Sequence, residues 1–163
     1  MLCACKAKPD YYLRFADSAE SGCGYVNIRG DTVIPLNKYP FCYTDTFANY
    51  AIVDKPGAGL VAINKAEQIL FNVHIFDNGP DYPAEGLFRI VKNGKMGYAD
   101  LQGNVVIKPQ FGCAFPFENG VAKVGYDCRA IPDGEHYFWV SKNWFHINKA
   151  GVRVDAKEER KLQ

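Results

Sequence analysis

The side chains that could perform chemistry in this chain are its histidines, its cysteines and one group of carboxylates. No two of the three histidines have the spacing of zinc ligands, and no two cysteines have the two-residue separation of zinc sites or redox-active dithiols. A nucleophilic pairing of Cys113 or Cys128 with His136 lacks any supporting motif. The sequence therefore predicts a protein that is not an enzyme and that binds no metal or cofactor.

The carboxylates of Asp77, Asp81 and Glu85 lie close together between Phe76 and Gly86. Oxygen-rich loops of this kind bind calcium in some proteins, but the residue spacing of an EF-hand loop is absent. Asp, Asn, Gly and Pro are also the residues that form turns, and turn formation accounts for this segment without an ion. We therefore expect a set of turns here, with a calcium site as the alternative.

Four of the six cysteines fall into two local pairs, Cys23 with Cys42 and Cys113 with Cys128. Disulfides within these pairs would close loops of about 20 and about 16 residues, each stabilising the fold by roughly 3 kcal/mol in the chain-entropy model. Each pair places one cysteine at a strand edge and the other in a neighbouring loop, which is a reachable geometry. We predict both disulfides and hence an exported protein, with four buried free thiols as the alternative.

The ends of the chain differ in composition from its body. The small-residue segment Met1–Ala7 is similar to the tail of an export signal, although the charged and apolar parts of such a signal are missing. We predict a signal remnant or a disordered N-terminus over residues 1–10 and a solvated charged tail over residues 155–163. A periplasmic or secreted location follows from this interpretation, and a cytoplasmic location is the alternative.

Composition and charge exclude two classes of partner. The formal net charge is +1 and no basic stripe is present, so an electrostatic basis for binding nucleic acid is lacking. Apolar runs are too short for a transmembrane segment. The composition is that of a soluble domain, and 163 residues are enough to bury a core. We expect a monomer by default.

The elements that position these side chains are set by an internal repeat. The heptapeptide Gly24–Gly30 returns in similar form as Gly97–Gly103, and Ile63–Ala66 returns unchanged as Ile147–Ala150. Aligned positions in these segments are separated by 37, 36 and 48 residues, a range typical of stacked supersecondary units. We call the four segments the first to fourth repeats.

Each repeat is predicted to consist of a strand, a tight turn, a return strand, an aromatic loop and a third strand. The third repeat is the clearest, with a Gly-containing turn at 101–104 and a return strand that ends at Pro109. The turn of the second repeat, Lys65–Gln68, has no Gly and is expected to be wound less tightly. The fourth repeat contains only its first hairpin, and residues 11–15 are expected to form an isolated leading strand.

These segments resemble the WG-repeat proteins of bacteria. The best matches are Gly97–Pro109 and Phe117–Val124, and the resemblance extends over about residues 22–154. The Trp-Gly pair that names the family is absent from every repeat. Its two positions hold Cys23-Gly24, Leu60-Val61, Met96-Gly97 and Trp144-Phe145. The resemblance implies an all-β repeat scaffold, usually without catalytic activity and often in envelope or secreted proteins, and it supplies no binding residues.

We predict an all-β domain over residues 11–154. Three repeats and a partial fourth would form an array of antiparallel hairpins that closes into a compact barrel- or propeller-like body. The predicted function is a non-catalytic binding module of the bacterial envelope that recognises a protein or a glycan. An immunity or regulatory protein that blocks one protein partner is the alternative.

The predicted binding surface lies on the long loops between the second and third strands, at 36–50, 72–85 and 110–119. Such loops lie at the surface and vary freely when a scaffold holds their ends. Their aromatic side chains are the candidate contacts: Tyr43, Phe76, Tyr82 and Phe115. The alternative is that these rings close the ends of the repeat core. A further aromatic segment, His136–Phe145, is interpreted as the core of the fourth hairpin rather than as a stacking surface.

Overall fold

The structure, a computed structural model, describes residues 10–16 and 22–154. Within these ranges the structure is all-β and antiparallel, with 61% of the described residues in strands and no helix, and the described strands form no closed barrel. The signal-like segment up to Pro9 and the charged tail 155–163 lie outside the described residues. Within the described ranges, no helix is long and apolar enough to span a membrane.

The chain divides into two compact units, one ending at Ile69 and the other beginning at Leu70. The first unit contains β1 (Tyr12–Ala16), β2 (Cys23–Asn27), β3 (Thr32–Tyr39), β4 (Phe41–Cys42), β5 (Thr46–Phe47), β6 (Ala51–Lys55) and β7 (Gly59–Ile63). Four of these strands pair in the order β3-β2-β1-β5, and the other three pair in the order β7-β6-β4. The return strand of the second repeat, β8 (Ile69–Val73), spans the boundary between the units.

The second unit follows the same plan with one addition. Its strands are β9 (Ile75–Phe76), β10 (Gly79–Pro80), β11 (Leu87–Lys92), β12 (Lys95–Asp100), β13 (Val105–Phe111), β14 (Cys113–Ala114), β15 (Val121–Gly125), β16 (Arg129–Asp133), β17 (His136–Val140), β18 (Trp144–Asn148) and β19 (Arg153–Val154). The order β13-β12-β11-β8 forms one sheet region and β14-β15-β18-β19 another. The strand pairs β9–β10 and β16–β17 form separate two-stranded sheets.

All four repeats use the same turn after their first strand. Its first residue is an Asn or Asp whose Oδ1 accepts hydrogen bonds of 2.8–3.0 Å from the amides two and four positions later: Asn27, Asn64, Asp100 and Asn148. The fourth residue has a positive φ, which favours Gly: Gly30, Glu67, Gly103 and Gly151. The repeat period predicted from the sequence thus corresponds to one recurring local structure.

The turn without Gly is as tight as the others, contrary to the expectation from the sequence. Glu67 adopts φ of 58°, and the backbone hydrogen bonds that close the turn match those of the other repeats. Its carboxylate accepts hydrogen bonds from Lys38 Nζ at 2.7 Å and from the Tyr39 hydroxyl at 2.6 Å. These contacts stabilise a backbone conformation that a non-glycine residue adopts at a cost.

The recurring Gly-Tyr pair has a packing reason. A Cβ at Gly24 would lie 2.7 Å from the Ile34 carbonyl oxygen, and one at Gly97 would lie 2.6 Å from the Pro109 nitrogen. The return strands therefore bulge against these glycines, and the strand pairing shifts register at both places. The following tyrosines are buried and donate their hydroxyls to loop carbonyls: Tyr25 to Thr44 at 2.8 Å, and Tyr98 to Phe115 at 2.7 Å.

The predicted isolated leading strand is paired. Strand β1 lies antiparallel to β2, just as β11 pairs with β12 and β15 pairs with β18. It therefore occupies the position of a third strand that precedes the first repeat. An isolated strand would leave its backbone amides and carbonyls without partners, which explains why this segment is incorporated.

The repeated tetrapeptide, Ile63–Ala66 in the first unit and Ile147–Ala150 in the second, contains a lysine that makes equivalent contacts in both units, which we call the lysine ties. In the first unit, Lys65 donates from Nζ to the backbone oxygen of Asp10 at 2.6 Å and lies 2.7 Å from its carboxylate. In the second unit, Lys149 makes contacts of 3.0 Å and 2.9 Å to the same two groups of Glu85. Each of these contacts runs from the turn of a repeat to a residue that lies two positions before an earlier third strand, β1 for Lys65 and β11 for Lys149. One other third strand, β6 or β15, lies between the two ends of the contact in sequence.

The irregular spacing of 48 residues has one structural cause. In the first unit a short turn joins β6 to β7, whereas in the second unit the hairpin β16–β17 stands between the equivalent strands β15 and β18. We refer to residues Arg129–Val140 as the inserted hairpin.

Each unit buries its own cluster of apolar side chains. Tyr25, Tyr39, Phe47 and Val53 are among the most buried side chains of the first cluster. The second cluster contains Tyr98, Ile107, Phe111, Phe117 and Ile147. Several of the strands that supply these clusters, such as β7 and β12, are buried over four consecutive residues rather than on alternate ones.

Candidate functional site

Both predicted disulfides are present. Cys23 is joined to Cys42 with Cα atoms 6.0 Å apart, and Cys113 is joined to Cys128 with Cα atoms 5.7 Å apart. The two bonds are not equivalent in the repeat, because the first connects β2 to β4 and the second connects β14 to the segment after β15. The second disulfide therefore lies at the base of the inserted hairpin.

Two of the candidate contact residues come together on the loop of the second repeat. Phe76 is 50% exposed and Tyr82 is 66% exposed, and their rings pack edge to face at 6.1 Å. Ile75 lies beside them in sequence and is also exposed. We call Ile75, Phe76 and Tyr82 the aromatic loop patch.

A buried ion pair lies beneath this patch. Asp81 and Arg89 are both 6% exposed, and the carboxylate of Asp81 accepts hydrogen bonds from the Arg89 backbone amide at 2.8 Å and from Nε at 3.0 Å, with a further bond from the guanidinium. The guanidinium also donates to the Ala114 carbonyl at 3.2 Å and lies 5.8 Å from the centroid of the Phe76 ring. The loop is therefore held from below by charge-assisted hydrogen bonds.

The nearby histidine is kept neutral by its surroundings. Burial lowers the pKa of His74 to about 4, with a further contribution from the positive charge of Arg89 and an opposing one from Asp81. Its backbone oxygen accepts a hydrogen bond from the Asp81 amide at 2.9 Å. His74 is thus part of the support for the patch.

The three carboxylates of this loop are used separately. Asp81 binds Arg89, whereas Glu85 binds Lys149 and accepts the Gly120 amide at 3.1 Å. Asp77 lies in a turn with a positive φ of 48°. Among residues 10–16 and 22–154 there is no group of three metal-ligating side chains. The hydrogen bond from Lys149 lowers the pKa of the Glu85 carboxyl, and the Gly120 amide acts in the same direction.

The other two candidate contacts have different surroundings. Tyr43, in the first unit, is 41% exposed and its ring lies 6.5 Å from that of Phe41. Phe115 is half-buried, with its ring 5.6 Å from that of Trp144 and the Lys123 ammonium over both rings. Of the four candidates, Phe76 and Tyr82 are thus the pair that the structure shows in ring contact.

The inserted hairpin is exposed, contrary to the expectation from the sequence that its aromatic residues form core. Tyr137 and Phe138 are each 50% exposed, whereas Trp139 and Trp144 are partly buried against the second core cluster. The assignment to the core is thus wrong for the first part of the aromatic segment. The sequence signal that could have shown this is the extra length of the last repeat interval.

The base of the inserted hairpin is fixed by several contacts. The Asp127 carboxylate accepts hydrogen bonds from the Ser141 hydroxyl and from Asn143 Nδ2, the latter at 3.4 Å. The hydrogen bond from Ser141 lowers the pKa of the Asp127 carboxyl. Together with the disulfide at Cys128, these contacts connect the two ends of the hairpin to the body of the unit.

The segment with the clearest repeat geometry, β12 to β15, is also the one that matches a known family. Residues 96–127 match the family model of the WG-containing repeat. This segment of the chain is similar to one WG repeat. The match includes Gly97, which lies against the bulged return strand, and Tyr98, which holds the loop. No curated protein and no solved structure matches the chain.

Proposed function

We propose that this WG-repeat chain is a non-catalytic binding module that is exported to the bacterial cell envelope and holds a protein partner on the aromatic loop patch. The observation that supports it most directly is the exposure of Phe76 and Tyr82 above the buried pair Asp81–Arg89. Exposed aromatic rings contribute large contact areas with few rotatable bonds, and they are enriched among the residues that dominate binding energy. A support that already fixes the rings reduces the entropy lost on binding.

Export is supported by the two disulfides. Disulfides persist in oxidising compartments and are rare in reducing ones. The bonds connect residues that are 19 and 15 positions apart, and Cys23 and Cys113 are almost fully buried. We propose a periplasmic or secreted location on this basis.

The scaffold that we propose consists of three WG-like repeats, a partial fourth and a leading third strand. The shared Asn or Asp turn of all four repeats supports this count. A scaffold that repeats its hairpins is free to vary its loops, and the loops of the two units present different aromatic residues.

The second candidate function is an immunity or regulatory protein that blocks a single partner. It uses the same patch and differs in consequence, because binding would abolish an activity of the partner. A toxin gene beside this gene, together with stoichiometric inhibition of the purified toxin, would favour it over an envelope binding module.

Capture from an envelope extract tests the proposed function. The wild-type protein, the variant Phe76→Ala/Tyr82→Ala and the control Leu101→Ala/Val152→Ala are immobilised in equal amounts. The control removes two exposed apolar side chains of the same unit outside the patch. We expect a protein that wild type and control retain and that the patch variant retains at least ten-fold less, with unchanged melting temperatures for all three.

Equal capture by the patch variant would show that the patch is not the binding site. A retained species that resists protease but is released by a glycosidase would replace the protein partner by a glycan. A large fall in the melting temperature of the patch variant would place the two rings in the core.

A further inference from the structure

The inserted hairpin has two strand edges that no other described strand pairs with. Strands β16 and β17 form a two-stranded sheet, joined by a turn at Gly134 and Glu135, with Asp133 opposite His136. Strand edges present backbone N–H and C=O groups that require a partner, either water or another strand. The question is which of these edges is open to a further strand.

The register of the hairpin determines which backbone groups face outward. In an antiparallel pair closed by a two-residue turn, the residues next to the turn bond to each other, and bonded and non-bonded pairs then alternate. The pair Pro132–Tyr137 and the pair Ala130–Trp139 are therefore non-bonded. Their amides and carbonyls face away from the partner strand, to the outer edges of the hairpin.

Only one of the two edges is open. On β16 an outward position is occupied by Pro132, which has no N–H to donate, and Pro is a common means of blocking an edge strand. On β17 the outward groups belong to Tyr137 and Trp139, and the strand His136–Val140 contains no Pro, Lys, Asp or Glu. Strand β17 therefore has the character of an unprotected edge.

We propose that a second copy of this chain pairs its β17 with this edge, forming a symmetric dimer. In an antiparallel arrangement centred on Phe138, Tyr137 of one copy lies opposite Trp139 of the other, and both outward N–H and C=O pairs are satisfied. One face of the resulting four-stranded sheet then carries four aromatic rings, and the other carries the two Phe138 rings side by side. The contact uses the same surface on both copies, so it closes at two.

The charges at the two ends of the hairpin favour this orientation. The tip carries Asp133 and Glu135, and the exposed Lys142 follows the base. Antiparallel pairing about Phe138 places Glu135 of one copy opposite Ser141 of the other and next to its Lys142. Parallel pairing would instead place the two acidic tips together, at an electrostatic cost. The fixed base of the hairpin reduces the ordering required for association.

The interaction is expected to be weak, because two short strands bury less surface than a permanent interface requires. Sedimentation velocity of the intact, disulfide-bonded protein from about 1 μM to about 1 mM covers the range of such affinities. We expect a shift from monomer to dimer with concentration, and no larger species.

Two variants at one position separate the backbone contact from the side chain. Tyr137→Pro removes the outward N–H while leaving every bond within the hairpin, and the opposite position already holds Pro132. We expect this variant to weaken dimerisation at least 100-fold. The control Tyr137→Val loses the same ring but keeps the N–H, and it should weaken dimerisation by less than 10-fold.

A charge exchange supplies an independent test that does not depend on the fold of the Pro variant. Glu135→Lys and Lys142→Glu should each weaken self-association, and an equimolar mixture of the two should recover it as a mixed dimer. A monomer throughout the concentration range, a dimer that Tyr137→Pro leaves intact, or a mixture that recovers nothing would overturn the proposal. Capture of a partner on the aromatic loop patch is a separate measurement that Tyr137→Pro leaves unaffected.

Discussion

At the scale of single residues, the most informative positions are those where the repeat tolerates one residue type for a definable reason. Gly97 is required because the return strand approaches its Cα closely, and not because of an unusual φ. Glu67 shows the opposite case, since it keeps an unfavourable φ of 58° and two strong contacts accompany it.

Replacement of Gly97 by Ala is expected to destabilise the protein by at least about 2 kcal/mol, because the new Cβ forces the bulged strand to shift. The new Cβ atom would lie 2.6 Å from the Pro109 nitrogen. The matched control is Gly79→Ala, where a Cβ meets no atom within 4 Å and φ is not positive. Urea unfolding should show a change below about 0.5 kcal/mol for the control. Equal stability of the two variants would contradict the packing explanation.

Replacement of Asp81 by Ala leaves the Arg89 guanidinium buried without its counter-charge. Removing one partner of a buried ion pair typically costs about 3–5 kcal/mol, whereas replacing both by apolar residues of similar volume costs far less. We therefore expect the double variant Asp81→Leu/Arg89→Met to be more stable than Asp81→Ala in urea unfolding. A double variant that is less stable than the single one would show that the hydrogen bonds of the pair, rather than its charges, hold the loop.

His74 predicts a stability change in mild acid. Its pKa is lowered from 6.5 to about 4 in the folded protein, so the unfolded chain binds the proton first as the pH falls. Folding stability should therefore decrease between about pH 6.5 and about pH 4, and the His74→Gln variant should lose less over this range. Measurements between about pH 5 and about pH 7 lie above the ordinary pKa values of the carboxyl groups. An identical decrease in the variant would exclude His74 as the cause.

At the scale of elements, the inserted hairpin is the feature that separates this chain from a regular array of WG-like repeats. A two-stranded hairpin is marginally stable by itself in water. Here its ends are fixed by the Cys113–Cys128 disulfide and by the contacts of Asp127, so it depends on the unit that supports it.

Removal of this disulfide should loosen the hairpin before it unfolds the unit. For Cys113→Ser/Cys128→Ser we expect amide hydrogen exchange of residues 129–140 to accelerate more than that of β12, together with a loss of roughly 3 kcal/mol in stability. The variant Cys23→Ser/Cys42→Ser removes a bond of similar loop length in the other unit and serves as the control. Unchanged exchange in the hairpin of the first variant would show that Asp127, Ser141 and Asn143 are sufficient to hold it.

At the scale of the whole molecule, local sequence patterns predicted most of the recurring structure but not the contacts between distant segments. Local patterns that occur more than once in the chain predict the turns, the Gly-Tyr positions and the all-β class. The two disulfides followed from spacing. The pairing of β1 and the exposure of Tyr137 did not, because both depend on contacts between distant segments. The aromatic run of the hairpin has the composition of a core strand, and only the extra length of its interval distinguishes it.

The matching ties of Lys65 and Lys149 have a consequence for how chains of this type lengthen or shorten. Two third strands lie in sequence between the lysine and the acidic residue of each tie. The smallest segment that contains both the lysine and its acceptor is therefore a pair of repeats. A duplication or deletion of one repeat would leave a lysine facing the wrong predecessor. Tandem relatives should therefore differ from this chain by even numbers of repeats, and a circularly permuted gene should be cut between the pairs.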